Sequence, residues 1–115
     1  RKVILVTRDP RDQFAELKQF RKIISVDGFI DWYKELQRRL KEINNPNILF
    51  LSFEDFVNKN EKMVSVLCEH VSITSNILSS YEPNLSKKNI EKYQKILSKK
   101  EIDTIESSLS EYIYF

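Results

Sequence analysis

The apolar residues of this chain fall into two patterns, short continuous runs and longer stretches at helical spacing. Residues 3–6 and 48–51 form continuous runs with no polar position inside them. Such runs are typical of strands that are buried on both faces, as in parallel sheets. About 40 residues separate the two runs, and this distance favours a parallel crossover connection over a hairpin.

The sequence between the two runs predicts two helices. Phe14, Leu17 and Ile24 recur at helical spacing, which indicates a helix from Pro10 to about Ile24. Residues 25–28 break that pattern, and residues 29–43 predict a second, amphipathic helix. Its apolar side consists of Ile30, Tyr33, Leu36, Leu40 and Ile43.

Only helical signals follow the second run. Asn60 is a candidate cap for one helix, and Ser86 is a candidate cap for a shorter one after a polar segment with Pro83. Ser98 and Glu101 have the spacing of a capping box, which predicts the start of a last helix.

This order of elements, β-α-α-β and then helices, predicts the α/β fold class in a single domain over residues 1–115. Two parallel strands do not make a stable sheet alone, so further strands are expected beside them. The first run begins almost at Arg1 without a lead-in. We therefore expect the chain to be a fragment or a processed protein.

Composition excludes several classes of function. The net charge is only +2, from 19 basic and 17 acidic residues, so no strong field for nucleic acid is expected. No apolar run approaches the roughly 18 residues that a membrane span needs. With one histidine and one cysteine, neither a zinc site nor a disulfide framework is expected. The single cysteine fits a reducing compartment, so the predicted location is cytoplasmic.

Glycine is almost absent from the chain. Gly28 is the only glycine in 115 residues. A Walker loop and a GxGxxG fingerprint both need several glycines for close approach to phosphate, so neither exists here. If the chain binds a nucleotide, part of the cradle must come from outside these residues.

The junction after the first run is the richest in candidate chemistry. Asp9 suits a helix N-cap, Pro10 suits the first helical position, and Asp12 puts negative charge into the first turn. Arg8 stands at the carboxyl end of the predicted strand, where parallel sheets bind ligands. A guanidinium beside a helix N-terminus favours phosphate or sulfate. The alternative is that the aspartates only cap the helix and pair with Arg8 or Arg11.

The chain resembles sulfotransferases that use 3′-phosphoadenosine 5′-phosphosulfate (PAPS). A strand, then Arg-Asp-Pro-Arg-Asp at residues 8–12, then a helix, is similar to the 3′-phosphate-binding segment of that family. Residues 48–55 resemble its strand that ends in Tyr-Glu-Asp, and residues 66–71 resemble its Leu-Cys-Glu-Phe helix. Residues 86–102 resemble the C-terminal segment of bacterial members, so the likeness covers nearly the whole chain.

The resemblance implies a P-loop-NTPase-like parallel sheet flanked by helices, with PAPS, and its product 3′-phosphoadenosine 5′-phosphate (PAP), as ligand. It implies that Arg8 contacts the 3′-phosphate and that Phe53 replaces a tyrosine beside the adenine. Lys87 and Lys88 stand where basic residues of the family reach the same phosphate. The implied reaction moves a sulfuryl group from PAPS to an acceptor hydroxyl or amine.

Two positions depart from the family pattern. Glu16 stands where a serine usually bonds the 3′-phosphate. A carboxylate there repels a phosphate unless it is protonated, swung aside or paired with an arginine such as Arg8. Glu91 replaces the glycine of the C-terminal Asn-Ile-Gly segment.

The resemblance places the catalytic residues before this segment, so no catalytic residue is predicted within the chain. The implied partners are the N-terminal half of the same fold and an acceptor, while neither nucleic acid nor a membrane span is predicted. The sequence indicates neither the acceptor nor the oligomeric state. Cys68 and His70 are read as packing residues.

Two other functions stay open. The first is a non-catalytic α/β module that binds a partner through a sheet edge and the aromatic residues Tyr112, Tyr114 and Phe115. The second is part of a nucleotide kinase-like enzyme, which predicts a Walker loop upstream and no preference for a 3′-phosphate. The lysine-rich stretch of residues 87–100 is read as solvated helix surface, and contact with the cofactor or a polyanion is the alternative.

Overall fold

The computed structural model describes residues 1–20, 25–72 and 83–113. The chain divides into a first unit, Arg1–Arg8 with Asn45–Ile90, and a second unit, Asp9–Asn44 with Glu91–Phe115. The elements in chain order are β1 Val3–Thr7, α1 Pro10–Phe20, α2 Val26–Lys41, β2 Ile48–Ser52, α3 Phe53–Asn58, α4 Asn60–Val71, α5 Pro83–Lys87, α6 Tyr93–Ile96, α7 Lys99–Ser108 and a 3-10 turn, Ser110–Tyr112. A single domain over residues 1–115 stays a prediction.

The first unit contains a two-stranded parallel sheet. Val3 pairs with Ile48 and Thr7 pairs with Ser52, so the ends of β1 and β2 are in register. The parallel crossover is therefore confirmed, and each strand is one residue longer than its apolar run. His70 of α4 lies with its Nε2 3.1 Å from the carbonyl oxygen of Val3, which connects α4 to β1.

The strands are less buried than the continuous runs predict. Leu51 is buried, but Val6 is 63% exposed and Phe50 is 45% exposed. The prediction of strands that are buried on both faces is therefore wrong for these two positions. The described part of the chain supplies only two strands, so these side chains lack the cover that both faces of a larger parallel sheet receive.

Helix starts in the first unit differ from the sequence prediction. Ser52 caps α3, since its Oγ accepts the Asp55 N–H at 3.3 Å. Asn60 is the first residue of α4 and not its cap, because its amide instead donates to the carbonyl oxygen of Phe56. Ser86 likewise lies inside α5 rather than before it.

The second unit packs α1, α2, α6 and α7 around one apolar core. The Phe14 and Phe29 rings form its centre, with ring centroids 5.1 Å apart. The other buried members are Ala15, Ile30, Tyr33, Tyr93, Leu97, Ile105 and Leu109. These residues come from the apolar side of each amphipathic helix, as their spacing predicts.

Helix α2 begins at Val26 rather than at residue 29 and ends at Lys41 rather than at residue 43. Ser25 causes the earlier start, since its Oγ accepts the Gly28 N–H at 3.1 Å and so caps the helix. The predicted end of α1 near Ile24 lies outside the described residues, as do Tyr114 and Phe115. Among the residues that are described, no helix has the length and apolar character to cross a membrane.

The predicted capping box of α7 is confirmed. The Ser98 Oγ accepts the Glu101 N–H at 3.2 Å, and the Glu101 carboxylate accepts the Ser98 N–H at 2.9 Å. Lys18 of α1 also donates to Glu101 at 2.6 Å. The start of α7 is therefore fixed both within its own turn and against α1.

Ser98→Ala is expected to lower the free energy of unfolding by about 1 kcal/mol, because the Glu101 N–H loses its acceptor. Urea unfolding followed by circular dichroism measures this change. Ser107→Ala is the matched control, since Ser107 lies late in the same helix and its Oγ donates only to the Asp103 carbonyl. Equal losses in both variants would contradict a capping role.

The stability that Glu101 supplies is expected to depend on pH. Burial acts to raise the pKa of the Glu101 carboxyl, but hydrogen bonds from Lys18 and Ser98 hold the pKa below its usual 4.5. The folded chain thus binds fewer protons than the unfolded chain, so the contribution is complete above pH 4.5 and is lost as the pH falls through the lowered pKa.

Glu101→Gln keeps a capping side chain and removes the charge. We expect the substitution to lower the free energy of unfolding by about 0.5 kcal/mol at pH 7, the size of an exposed ion pair. The loss is expected to become smaller as the pH falls below the pKa of this carboxyl in the unfolded chain. Urea unfolding of both proteins between pH 7 and pH 3 measures this. A difference that stays constant over this range would contradict the assignment.

Candidate functional site

The two strand ends bring Arg8 and Phe53 together. Arg8 follows β1, and Phe53 follows β2 as the first residue of α3. Because Thr7 pairs with Ser52, the residues that follow them emerge side by side. The Arg8 guanidinium lies over the Phe53 ring, 4.9 Å from its centroid. The pairing register of the sheet thus produces a cation–π contact at its carboxyl edge.

A third segment of the first unit reaches the same place. The Arg8 Nη2 donates to the carbonyl oxygen of Asn89 at 2.8 Å. Arg8 and Phe53 are both half-buried, whereas Lys87 and Lys88, the two residues before Asn89, are exposed. The structure therefore joins Arg8 and Phe53 directly and places Lys87 at the end of α5 and Lys88 just after it. We call Arg8, Phe53 and Asn89 the arginine cluster.

Glu54 is a buried carboxylate beside this cluster in the sequence. It is 2% exposed, and its Oε1 accepts a hydrogen bond from the Ser52 hydroxyl at 3.2 Å. The next residue, Asp55, supplies the N–H that Ser52 caps. These contacts serve the strand-to-helix turn.

In the second unit, Arg11 and Asp9 form a buried ion pair. The Asp9 carboxylate accepts the Arg11 backbone N–H at 2.8 Å, which confirms Asp9 as the cap of α1. It also accepts from the Arg11 Nη2 at 2.6 Å, and the Arg11 Nη1 donates to Glu106 at 2.6 Å. Burial acts to lower the pKa of Arg11, but its hydrogen bonds to Asp9 and Glu106 raise the pKa above its ordinary value. Arg11 is therefore a charged structural residue.

Asp12 has a role that its position in the first turn does not indicate. Its carboxylate is 1% exposed and accepts the backbone N–H groups of Glu91 at 2.8 Å and Tyr93 at 3.0 Å. Asp12 therefore fixes the turn before α6 rather than only the start of its own helix. No local pattern predicts this contact, because its partners lie 79 and 81 residues away.

Glu91 adopts a left-handed backbone conformation. Its φ is 62°, in the region that glycine enters without the steric cost of a Cβ atom. This is the position at which the sulfotransferase resemblance places a glycine. The conformation that the family residue favours is therefore present here, although the side chain differs.

Glu16, the predicted replacement of the phosphate-binding serine, lies on α1 in the second unit. Its carboxylate accepts a hydrogen bond from the Lys92 Nζ at 3.4 Å. Lys92 is thus one partner of this carboxylate. Its ammonium group also lies 5.7 Å from the centroid of the Phe20 ring.

Two further candidates have structural surroundings. Cys68 is buried, and the His70 ring bonds the Val3 carbonyl, which agrees with their reading as packing residues. In the part of the chain that the structure describes, no group of three or more histidine, cysteine, aspartate or glutamate side chains is placed to hold a metal ion.

Comparison of the chain with protein-family models, with curated proteins and with solved structures gives no match. A function can therefore be inferred only from the geometry of the arginine cluster and from the order of the sequence segments that resemble sulfotransferases.

Glu91→Gly is expected to raise the free energy of unfolding by about 0.5–1 kcal/mol. The change removes the steric cost of a Cβ atom at positive φ, which outweighs the extra freedom of glycine in the unfolded chain. Glu91→Ala is the matched control, because it removes the same carboxylate but keeps the Cβ atom. Urea unfolding compares the three proteins, and equal stabilisation by alanine would point to the carboxylate rather than to the backbone.

Proposed function

We propose that this chain is the C-terminal part of a PAPS-dependent sulfotransferase-like protein, and that its first unit holds the 3′-phosphoadenosine end of PAPS. The observation that carries the proposal is the arginine cluster. Arg8, Phe53 and Asn89 come from three separate stretches of sequence, each of which resembles a segment of the family that lies at the nucleotide. They meet at the carboxyl edge of a parallel sheet, where such sheets bind ligands.

The chemistry of the cluster suits a phosphorylated adenosine. The Phe53 ring orients the Arg8 guanidinium, and the Asn89 carbonyl fixes its Nη2. A phosphate is a charged acceptor for this guanidinium, and a charge-assisted hydrogen bond is shorter and stronger than one to a neutral carbonyl. Phe53 and the planar guanidinium are both surfaces on which an adenine ring stacks.

The lysines that precede Asn89 add positive charge at this edge. Lys87 and Lys88 are exposed, so their ammonium groups are free of the desolvation cost of burial and can turn toward a bound phosphate. In this proposal Arg8 binds and orients the 3′-phosphate, while the lysines attract the ligand and neutralise its charge.

The proposed fold is a larger, P-loop-NTPase-like sheet to which the N-terminal half of the protein contributes strands. The exposed apolar residues Val6 and Phe50 support this, since parallel strands are normally covered on both faces. The reaction is in-line transfer of the sulfuryl group to an acceptor hydroxyl or amine. The chain described here binds one end of the donor, and the N-terminal half supplies the residues that act on the sulfuryl group.

A non-catalytic interaction module is the second candidate, and the same exposed residues favour it. Val6 and Phe50 lie on strands whose edges can pair with a strand of another protein. This function requires no nucleotide. Binding of a 3′-phosphorylated nucleotide therefore distinguishes the two candidates.

Calorimetric titration with PAP tests the proposal. We expect weak binding by the chain as given, and at least a tenfold loss in Arg8→Ala, because a charge-assisted contact with the phosphate disappears. Adenosine 5′-phosphate is expected to bind more weakly than PAP, and magnesium is expected to have no effect. A nucleotide kinase-like protein would instead show magnesium dependence and no preference for the 3′-phosphate.

Arg38→Ala is the matched control, since it removes the same side chain from the exposed surface of α2. It is expected to leave PAP binding unchanged. Arg8→Lys keeps the charge but loses the planar group, so we expect an intermediate affinity. If Arg8→Ala and the unaltered chain bind PAP equally well, the site assignment is wrong.

A further inference from the structure

The first unit contains an open cleft of about 570 Å³ where the end of α3, the start of α4 and α5 meet. This volume falls within the range of small-molecule sites, roughly 300–1,000 Å³. Val57, which is 1% exposed, lies at its buried side. The other lining residues are polar: Asn58, Lys59, Asn60, Glu61, Lys62, Asn84 and Lys87.

The charges around the cleft are unbalanced. Three lysines face one glutamate, Glu61, so the lining carries a net charge of +2. The chain as a whole also has a net charge of +2, spread over 115 residues. The cleft therefore concentrates positive charge in a small volume, which attracts anions.

The lysines are available to a ligand. Lys59 lies 3.6 Å from Asp55, but both side chains are well exposed, at 61% and 43%. Ion pairs of this kind contribute little stability and are readily exchanged for another anion. Lys62 and Lys87 are likewise exposed. Asn58 is exposed as well, and its amide adds a neutral donor for the oxygen atoms of an anion.

We propose that this cleft binds a small polyanion that carries several phosphate or sulfate groups. Several lysines on different elements suit a ligand with several separated charges better than a single carboxylate. Apart from Lys87, none of these residues is assigned to the nucleotide, so the site is additional to the arginine cluster. The proposal holds whether or not the chain binds PAP.

The experiment is titration of the full chain with two probes at fixed ionic strength, inorganic triphosphate and a fully sulfated disaccharide. Tighter binding of the first indicates a phosphate ligand, and tighter binding of the second indicates a sulfate ligand. The double substitution Lys59→Gln/Lys62→Gln is expected to lower the affinity for the tighter-binding probe at least tenfold. These substitutions keep the length of the exposed side chains, so the fold is expected to persist, which circular dichroism checks.

Lys99→Gln/Lys100→Gln is the matched control, since it removes two exposed lysines from α7 in the second unit. It is expected to change probe affinity less than twofold. Equal losses in both double variants would show general attraction to surface charge and overturn the proposal. No measurable binding of either probe to the unaltered chain would also overturn it.

Discussion

The buried carboxylate of Asp12 is the interaction on which the second unit most depends. Its two oxygens accept the N–H groups of Glu91 and Tyr93, and so they fix where the chain enters α6. Tyr93 and Leu97 then enter the core beside Phe14. Removal of this buried acceptor would leave both N–H groups without this partner, which is costly in a core. The position of α6 follows from this one side chain.

The arginine cluster places a guanidinium against an aromatic ring and a backbone carbonyl. Arg8 bonds a carbonyl and lies over an aromatic ring, whereas Arg11 is tied to two carboxylates. A ligand at Arg11 would have to displace the buried Asp9 carboxylate and the partly exposed Glu106 carboxylate. Arg11 is therefore poorly suited to an anionic ligand.

Features that depend on neighbouring residues could be predicted from the sequence. The parallel strands, the Asp9 cap and the Ser98 capping box all follow from patterns within a few residues. The meeting of Arg8 and Phe53 could also be anticipated, because parallel strand ends share one edge of a sheet.

Contacts with distant or backbone partners could not be predicted in this way. Asn89 reaches Arg8 through a backbone carbonyl, which every residue has and which leaves no trace in the sequence. Asn60 and Ser86 have side chains that commonly cap helices. Asn60 instead bonds the carbonyl oxygen of Phe56, and Ser86 lies inside α5. Ser25 caps α2, although residues 25–28, which include Gly28, interrupt the apolar spacing and so predict a break.

The left-handed turn at Glu91 has a consequence for how this sequence can change. The Asp12 carboxylate of α1 accepts the N–H groups of Glu91 and Tyr93. These contacts, rather than the side chain at position 91, stabilise the left-handed conformation. The side chain at 91 is then free to vary as long as position 12 keeps its carboxylate. Because Asp12 bonds the backbone of residue 91 and not its side chain, related sequences are expected to keep the carboxylate at position 12 while residue 91 differs among them.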